Sequence, residues 1–176
     1  MTFDMAPKYR VAWIAFAVCF ALDRFTKSLV VDSISYTDRI PVLEGFFYLT
    51  HVRNAGAAFG ILSDADPSWR LGFFVGVSIL AVGVILVFLR DLDANDRLSG
   101  LALGLIMGGA TGNLYDRFRY GEVVDFLHFR LWSGYSWPDF NVADSCIVVG
   151  VGILLLELLA SEGERRAPPK PDGSSV

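Results

Sequence analysis

Long apolar runs, separated by polar connections, divide most of the chain into four segments that predict helices. These runs cover approximately residues 11–31, 71–89, 98–116 and 140–160. About 20 apolar residues in a helix are enough to cross the hydrocarbon core of a membrane. The pattern therefore predicts a mainly α-helical membrane protein with four transmembrane helices.

The composition supports this fold class. Hydrophobic residues make up 53% of the 176-residue chain and charged residues only 19%, whereas an ordinary soluble domain has roughly 25% charged residues. These values argue against a soluble, disordered or disulfide-rich secreted protein, and the net charge of −4 argues against a nucleic-acid partner. We expect one membrane-embedded domain over residues 1–160 and a disordered, cytoplasmic polar tail over residues 161–176.

An even number of spans places both termini on the same side of the membrane. Lysine and arginine favour the terminus side only slightly, by seven residues to six, so the positive-inside signal is weak. Lys8 and Arg10 flank the first span, and we therefore expect cytoplasmic termini. The same basic start followed by an apolar run also fits a cleaved signal peptide, but we interpret the segment as a span.

The two long connections on the opposite side contain strand-like patterns. Apolar and polar residues alternate over residues 127–132, and residues 46–52 are aromatic and β-branched. Aromatic residues are favoured at the membrane–water boundary, so we expect short strands that form a small extracytoplasmic sheet, or cradle, beside the spans. The alternative is that both are ordinary loops.

Glycine recurs every four residues in the third span, at Gly100, Gly104, Gly108 and Gly112. Such a ridge lets another helix backbone approach closely. We expect it to pack against a helix of the same chain. Use of the ridge as an oligomer interface or as room for a substrate is the alternative.

Polar groups at membrane depth are costly unless they are paired or face water. Asp23 and Lys27 lie four residues apart, on one face of the first helix, and can neutralise each other. Asn113, Asp116 and Arg117 end the third span, where a solvated helix terminus is the simpler interpretation.

Two further carboxylates have apolar neighbours. Asp125 lies in Val-Val-Asp-Phe, and Asp144 lies just inside the fourth span. If the spans bring them together, they can share one proton, so that one activates water and the other protonates the leaving nitrogen of an amide, as in aspartic proteases. Separate structural carboxylates remain the alternative.

At these residues the sequence resembles lipoprotein signal peptidase, also called signal peptidase II, a family of bacterial membrane aspartic peptidases. Five blocks match the family in order and cover nearly the whole chain outside the tail. They are Asp23-Arg-Phe-Thr-Lys27, Asn54-Ala-Gly-Ala-Ala-Phe-Gly60, Gly108-Gly-Ala-Thr-Gly-Asn-Leu-Tyr-Asp-Arg117, Val123-Val-Asp-Phe126 and Trp137-Pro-Asp-Phe-Asn-Val-Ala-Asp-Ser145.

The resemblance implies an enzyme of the bacterial inner membrane that cleaves prolipoproteins just before a diacylglyceryl-modified cysteine. It implies catalysis by Asp125 and Asp144 near the extracytoplasmic face, without metal or organic cofactor. The implied substrate-binding residues are Asn54, Gly56, Asn113, Arg117 and Asn141. The implied supporting residues are Asp23, Lys27 and Asp116.

The family also implies contact with membrane lipid and inhibition by cyclic peptide antibiotics. We expect a monomer, because one chain holds every matching residue. Two other classes of function remain open: a small carboxylate-lined transporter or channel, and a membrane protein with a purely structural role. A transporter would use the acids as a relay and the glycine ridge as an oligomer interface.

Overall fold

The computed structural model describes residues 5–56, 66–132 and 134–166, which form four long helices and one small sheet. The helices are α1 Pro7–Ser33, α2 Pro67–Asp91, α3 Arg97–Tyr120 and α4 Val142–Arg166. The strands are β1 Arg39–Leu43, β2 Phe47–Asn54 and β3 Val123–Phe129. The four apolar runs are helical except at residues 140 and 141, since α4 begins at Val142 after its N-cap Asn141. Every helix ends a few residues beyond its run.

The predicted tail begins inside a helix. α4 continues to Arg166, so residues 161–166 are helical rather than disordered. Residues 161–166 include two glutamates and two arginines, which have good helix propensity. Residues 167–176 lie outside the described residues, and for them the tail remains a prediction.

The helix ends follow local sequence signals. Asp66 and Asp96 act as N-caps of α2 and α3, because their carboxylates accept backbone N–H groups of the first turn. α3 ends at Tyr120 and is capped by Gly121, whose φ of 76° is left-handed and is easily adopted by glycine. This turn reverses the chain directly into β3, so the last turn of α3 and the start of β3 lie side by side.

α3 is the central helix and packs against α1, α2 and α4. Its glycine ridge faces α1: a Cβ added at any of the four positions would lie between 2.3 and 2.9 Å from an atom of α1. The positions are Gly100, Gly104, Gly108 and Gly112. The ridge therefore packs within the chain, as predicted, and this face of α3 is turned to α1 rather than to a second subunit.

Two helices of the described part are long and apolar enough to cross a membrane, Pro67–Asp91 and Val142–Glu162. The other two described helices are less apolar, because charged residues interrupt the second half of α1 and α3 is rich in glycine. Large apolar side chains point outward on several helices, including Ile14, Leu80 and Val148, which are 64%, 68% and 70% exposed. Apolar surface of this extent is typical of an interaction with lipid or with another apolar surface.

The sheet is antiparallel, with the strand order β1–β2–β3. β2 contains most of the predicted strand at residues 46–52. β3 begins at Val123 and ends at Phe129, so the prediction of a strand over residues 127–132 was too late in the sequence. β1 was not predicted, because all five of its residues are exposed and Pro41 interrupts its pattern, as proline does in edge strands.

The sheet is anchored to the C-terminal end of α1. Val30 of α1 and Ile34, the C-cap residue of that helix, form a buried cluster with Val124 and Phe126 of β3. Successive side chains of a strand point to opposite faces, so Asp125 faces away from this cluster. Packing of the apolar residues on both sides of Asp125 thus directs its carboxyl group toward the helix ends.

The segment before α4 pairs with the sheet. Phe140 exchanges backbone hydrogen bonds with Leu127, 2.8 and 3.2 Å in length. Asp139 accepts a hydrogen bond from the Thr50 hydroxyl at 2.6 Å and contacts the Nδ1 atom of His128 at 3.1 Å. These contacts fix the start of α4 beside β3.

Candidate active site

The first turn of α4 positions Asp144. The N-cap residue Asn141 accepts the Asp144 N–H on its side-chain oxygen at 3.0 Å, and the Asn141 N–H donates to Asp144 Oδ2 at 3.2 Å. This reciprocal pair is a capping box, and its signal is the spacing Asn-x-x-Asp. Asp144 therefore lies at a helix N-terminus, where the positive end of the helix dipole favours a negative charge.

Asp125 is 2% exposed and accepts a hydrogen bond on each carboxyl oxygen. Asn54 Nδ2 donates to Oδ2 at 3.0 Å, and Asn141 Nδ2 donates to Oδ1 at 2.7 Å. Burial, together with the negative charge of Asp144, raises the pKa of Asp125 to about 7 despite these hydrogen bonds. Asp125 can therefore hold a proton near neutral pH.

Asn141 joins the two carboxyl groups, because its side chain contacts Asp125 and its backbone N–H contacts Asp144. Asn113 completes this group: its Nδ2 donates to Asp144 Oδ1 at 2.7 Å. The Asn113 oxygen accepts from Lys27 Nζ at 2.8 Å and from Asn141 Nδ2 at 3.2 Å. The lysine can only donate, so it determines which end of the Asn113 amide faces Asp144.

A second group of charges lies directly beside the first, and we call Asp23, Arg24, Lys27 and Asp116 the charge cluster. Lys27 Nζ is 3.0 Å from Asp23 and 2.8 Å from Asp116. Arg24 contacts the same two carboxylates at 2.8 and 2.6 Å. The cluster is neutral overall, and both of its carboxylates are fully buried.

Arg117 extends from α3 toward the residues that follow β2. Its guanidinium donates to the Asn113 carbonyl at 3.3 Å and to the Gly56 carbonyl at 3.4 Å. It also lies 4.3 Å from the centre of the Phe74 ring on α2, within the range of a cation–π interaction. Arg117 thus connects α3, α2 and the end of β2.

The family model described as signal peptidase (SPase) II matches residues 15–160 of this chain. The chain belongs to the signal peptidase II family. Its similarity to individual members covers almost the full length. A lipoprotein signal peptidase of Geobacter sulfurreducens is 46% identical over 164 residues, covering 93% of this chain and 100% of that protein. One of Symbiobacterium thermophilum is 47% identical over 145 residues, covering 82% and 91%.

Solved structures agree with this membership. A structure described as a bacterial membrane enzyme, determined by the in meso method at 2.3 Å resolution, has a TM-score of 0.79 and 29% identity. The similarity covers 90% of this chain and 93% of that one. A second structure with the same description has a TM-score of 0.75 and 28% identity, covering 84% and 92%. The fold described above is therefore shared with known membrane enzymes.

The fold of this signal peptidase II member brings all of the predicted site residues into two adjoining groups. The first group surrounds the two carboxyl groups of the predicted dyad. It comprises Asp125, Asp144, Asn54, Gly56, Asn113, Arg117 and Asn141. The second is the charge cluster, which includes the predicted supporting residues Asp23, Lys27 and Asp116.

Two features were missed by reasoning from the sequence. Arg24 was not among the predicted site residues, although it contacts both carboxylates of the charge cluster. The contacts of Asn141 with the two acids were not predicted: its side-chain donor bonds Asp125 and Asn113, and its oxygen accepts the Asp144 N–H. Its role in substrate binding stays a prediction. The first could have been found from its position between Asp23 and Lys27. The second required the tertiary structure.

Proposed function

We propose that this chain is an aspartic endopeptidase that removes signal peptides from prolipoproteins, cutting just before a diacylglyceryl-modified cysteine. Membership of the signal peptidase II family supports the reaction and the substrate class. The attachment of both Asp125 and Asp144 to Asn141 supports the aspartic mechanism. It is the observation on which the proposal depends, because a shared proton requires two carboxyl groups at one place.

The two carboxyl groups differ in the way that the mechanism requires. Asp144, at the helix N-terminus, is the ionised base, and it takes a proton from water as the water oxygen attacks the scissile carbonyl carbon. Asp125, with a pKa of about 7 raised by burial and by the Asp144 charge, is the neutral acid. It donates a hydrogen bond to the carbonyl oxygen and gives its proton to the leaving nitrogen as the C–N bond breaks.

The remaining site residues suit a peptide that approaches from the side. Arg117 and Asn54 flank Gly56, and Arg117 orients this loop through the Gly56 carbonyl. Among the contacts of the described residues, Asn54 keeps one N–H and one oxygen lone pair for a substrate backbone. Asn141 instead holds the two acids in place. The exposed apolar side chains of α2, such as Leu80, offer a surface along which diacylglyceryl chains can lie.

The same proposal includes the placement of the protein. All four helices cross the bacterial inner membrane, with both termini in the cytoplasm and the site near the extracytoplasmic face. The protein acts as a monomer, in contact with membrane lipid and without metal or organic cofactor. Cyclic peptide antibiotics compete with the substrate for the groove beside Asn54 and Arg117.

The decisive experiment is cleavage of a diacylglyceryl-modified precursor by the purified protein in detergent. We expect Asp125→Asn and Asp144→Asn each to lower kcat by at least about 10³-fold, because each removes one of the two proton transfers. Asp38→Asn is the matched control, since Asp38 is exposed on the same side and lies outside the site. A precursor without the diacylglyceryl group tests the substrate class.

Full loss in only one of the two variants would contradict the paired-acid mechanism. Equal cleavage of modified and unmodified precursor would contradict the lipid requirement. Normal cleavage by both variants would contradict an enzymatic role of the acids altogether. The same assay on Arg117→Ala tests the orientation of the Gly56 loop, and unchanged kcat and KM would contradict it.

A further inference from the structure

The charge cluster is connected to both acids of the site through the backbone. Asp23 Oδ1 accepts the Ala143 N–H at 3.1 Å, and Asp116 Oδ2 accepts the Val124 N–H at 3.2 Å. Ala143 directly precedes Asp144, and Val124 directly precedes Asp125. The two carboxylates of the cluster therefore each hold the residue before one acid of the dyad.

Arg24 joins the two carboxylates that make these contacts. Its Nη1 donates to Asp116 Oδ1 at 2.6 Å and its Nη2 to Asp23 Oδ2 at 2.8 Å. These are not the oxygens that accept the backbone N–H groups. The guanidinium also lies 4.7 Å from the centre of the Tyr115 ring, and the Arg24 side chain is only 19% exposed. A planar guanidinium that donates to two carboxylates at once fixes their relative positions, which the single ammonium group of a lysine cannot do as well.

The cluster also depends on Arg24 for its charge balance. With Asp23, Asp116, Lys27 and Arg24 all charged, the net charge is zero. Removal of the guanidinium leaves two buried carboxylates with one lysine. A buried, uncompensated carboxylate takes up a proton or draws in water, and either change weakens its hold on the backbone N–H that it accepts.

We propose that Arg24 is a positioning residue of the peptidase: by bridging Asp23 and Asp116, it fixes the spacing between the backbone segments that carry Asp125 and Asp144. The inference rests on the proposed function. Arg24 does not touch the two acids itself, so it acts on the chemical step through their placement. Substrate binding depends on Asn54, Gly56 and Arg117, which Arg24 does not contact in the described part of the chain.

The test compares Arg24→Gln and Arg24→Lys with the unmodified protein, with kcat and KM measured on the diacylglyceryl-modified precursor. We expect Arg24→Gln to lower kcat about 10–100-fold, since a misplacement near 1 Å costs about 10²-fold, and to leave KM within about twofold. We expect Arg24→Lys to lose less kcat than Arg24→Gln, because lysine keeps the positive charge but lacks the planar guanidinium. Arg119→Gln is the matched control, because Arg119 is an exposed arginine of α3 that stacks on Tyr120.

A charge-balanced double variant gives a second, independent readout. Arg24→Gln leaves the cluster at −1 and Asp116→Asn leaves it at +1, whereas the double variant returns it to zero. The glutamine carbonyl can then accept from the asparagine amide, so a bridge is kept. We expect the double variant to have a higher kcat than either single variant, whereas independent effects would multiply.

Three outcomes would overturn the inference: an Arg24→Gln protein with unchanged kcat, a loss that appears in KM, or a loss of kcat that matches the fraction unfolded in a thermal melt. Multiplied losses in the double variant would do the same. Asp125→Asn and Asp144→Asn are measured alongside. If they remain active, the proposed function fails. If they are inactive while Arg24→Gln is normal, only the role of Arg24 fails.

Discussion

Two pairs of aspartates lie next to each other in this protein and have opposite surroundings. Asp23 and Asp116 are fully buried, and each contacts both an arginine and a lysine. Asp125 and Asp144 accept hydrogen bonds only from asparagine side chains and a backbone N–H, among the contacts of the described residues. One pair is neutralised by charge, and the other is held by neutral amides.

The difference shows how one small fold separates structural acids from reactive ones. Asp23 and Asp116 each lie 2.6–3.0 Å from two cations, so their negative charges are balanced by direct ion pairs. An amide donates a hydrogen bond without adding charge, so the carboxyl group is oriented and can still take up a proton. Lys27 serves both pairs, since it bonds the charged pair directly and orients the Asn113 amide toward Asp144.

Removal of the lysine from the charged pair is expected to have the largest effect on stability. Lys27→Met leaves Asp23 and Asp116 buried with Arg24 alone. Loss of one partner from a buried ion pair costs about 3–5 kcal/mol, and this should appear as a lower free energy of unfolding in detergent. Arg90→Met, at the exposed end of α2, is the control and should cost less than about 1 kcal/mol. A similar small loss in both would mean that the cluster contributes no more than a surface pair.

The raised pKa of Asp125, one of the two acids held by amides, should make the stability of the protein depend on pH. The pKa of Asp125 is raised to about 7 by burial and by Asp144, against 3.8 for the ordinary group. Between these values the folded protein binds more protons than the unfolded chain, so stability falls as pH rises through this window. Each tenfold change in proton affinity is worth about 1.4 kcal/mol, and we expect a total fall of about 2–4 kcal/mol.

Asp125→Asn should remove this fall, because asparagine does not titrate. The measurement is the difference in unfolding free energy between the variant and the unmodified protein, followed from pH 4 to pH 8. Asp66→Asn is the control, since asparagine also caps a helix and Asp66 is exposed. A difference that stays constant across the window would show that Asp125 titrates as an ordinary carboxyl group.

A smaller loss of stability is expected from Gly112→Ala, which adds a methyl group between α1 and α3. A Cβ at Gly112 would lie 2.5 Å from Asp23 Oδ2, so Gly112→Ala must displace a carboxylate of the charge cluster. Overpacking of this kind costs about 1–3 kcal/mol. A Cβ added at Gly76 on α2 meets no described atom within 4 Å. Gly76→Ala should therefore be neutral or slightly stabilising, because alanine has a better helix propensity than glycine. Equal thermal melts for the two variants would contradict close packing at Gly112.

Much of the fold follows from patterns that are local in sequence. The four helices could be predicted because long apolar runs leave few other structures possible in a membrane. The strand β2 was found from its aromatic and β-branched residues. The strand β1 was not, because its residues are exposed and, among the described strands, it pairs with β2 alone. The start of β3 was also missed, since it is set by the turn at Gly121 and by packing on Val30.

The site divides in the same way. The sequence alone determined which acids are present, the helix that carries Asp23 and Lys27 on one face, and the Asn-x-x-Asp spacing that caps α4, because these depend on residues at most four positions apart. Only the tertiary structure determined which carboxylates lie in contact with arginine and lysine side chains. The Asp23 bond to the Ala143 N–H spans 120 positions and joins α1 to α4. It forms where Gly109 and Gly112 of α3 leave room for both helices to approach closely.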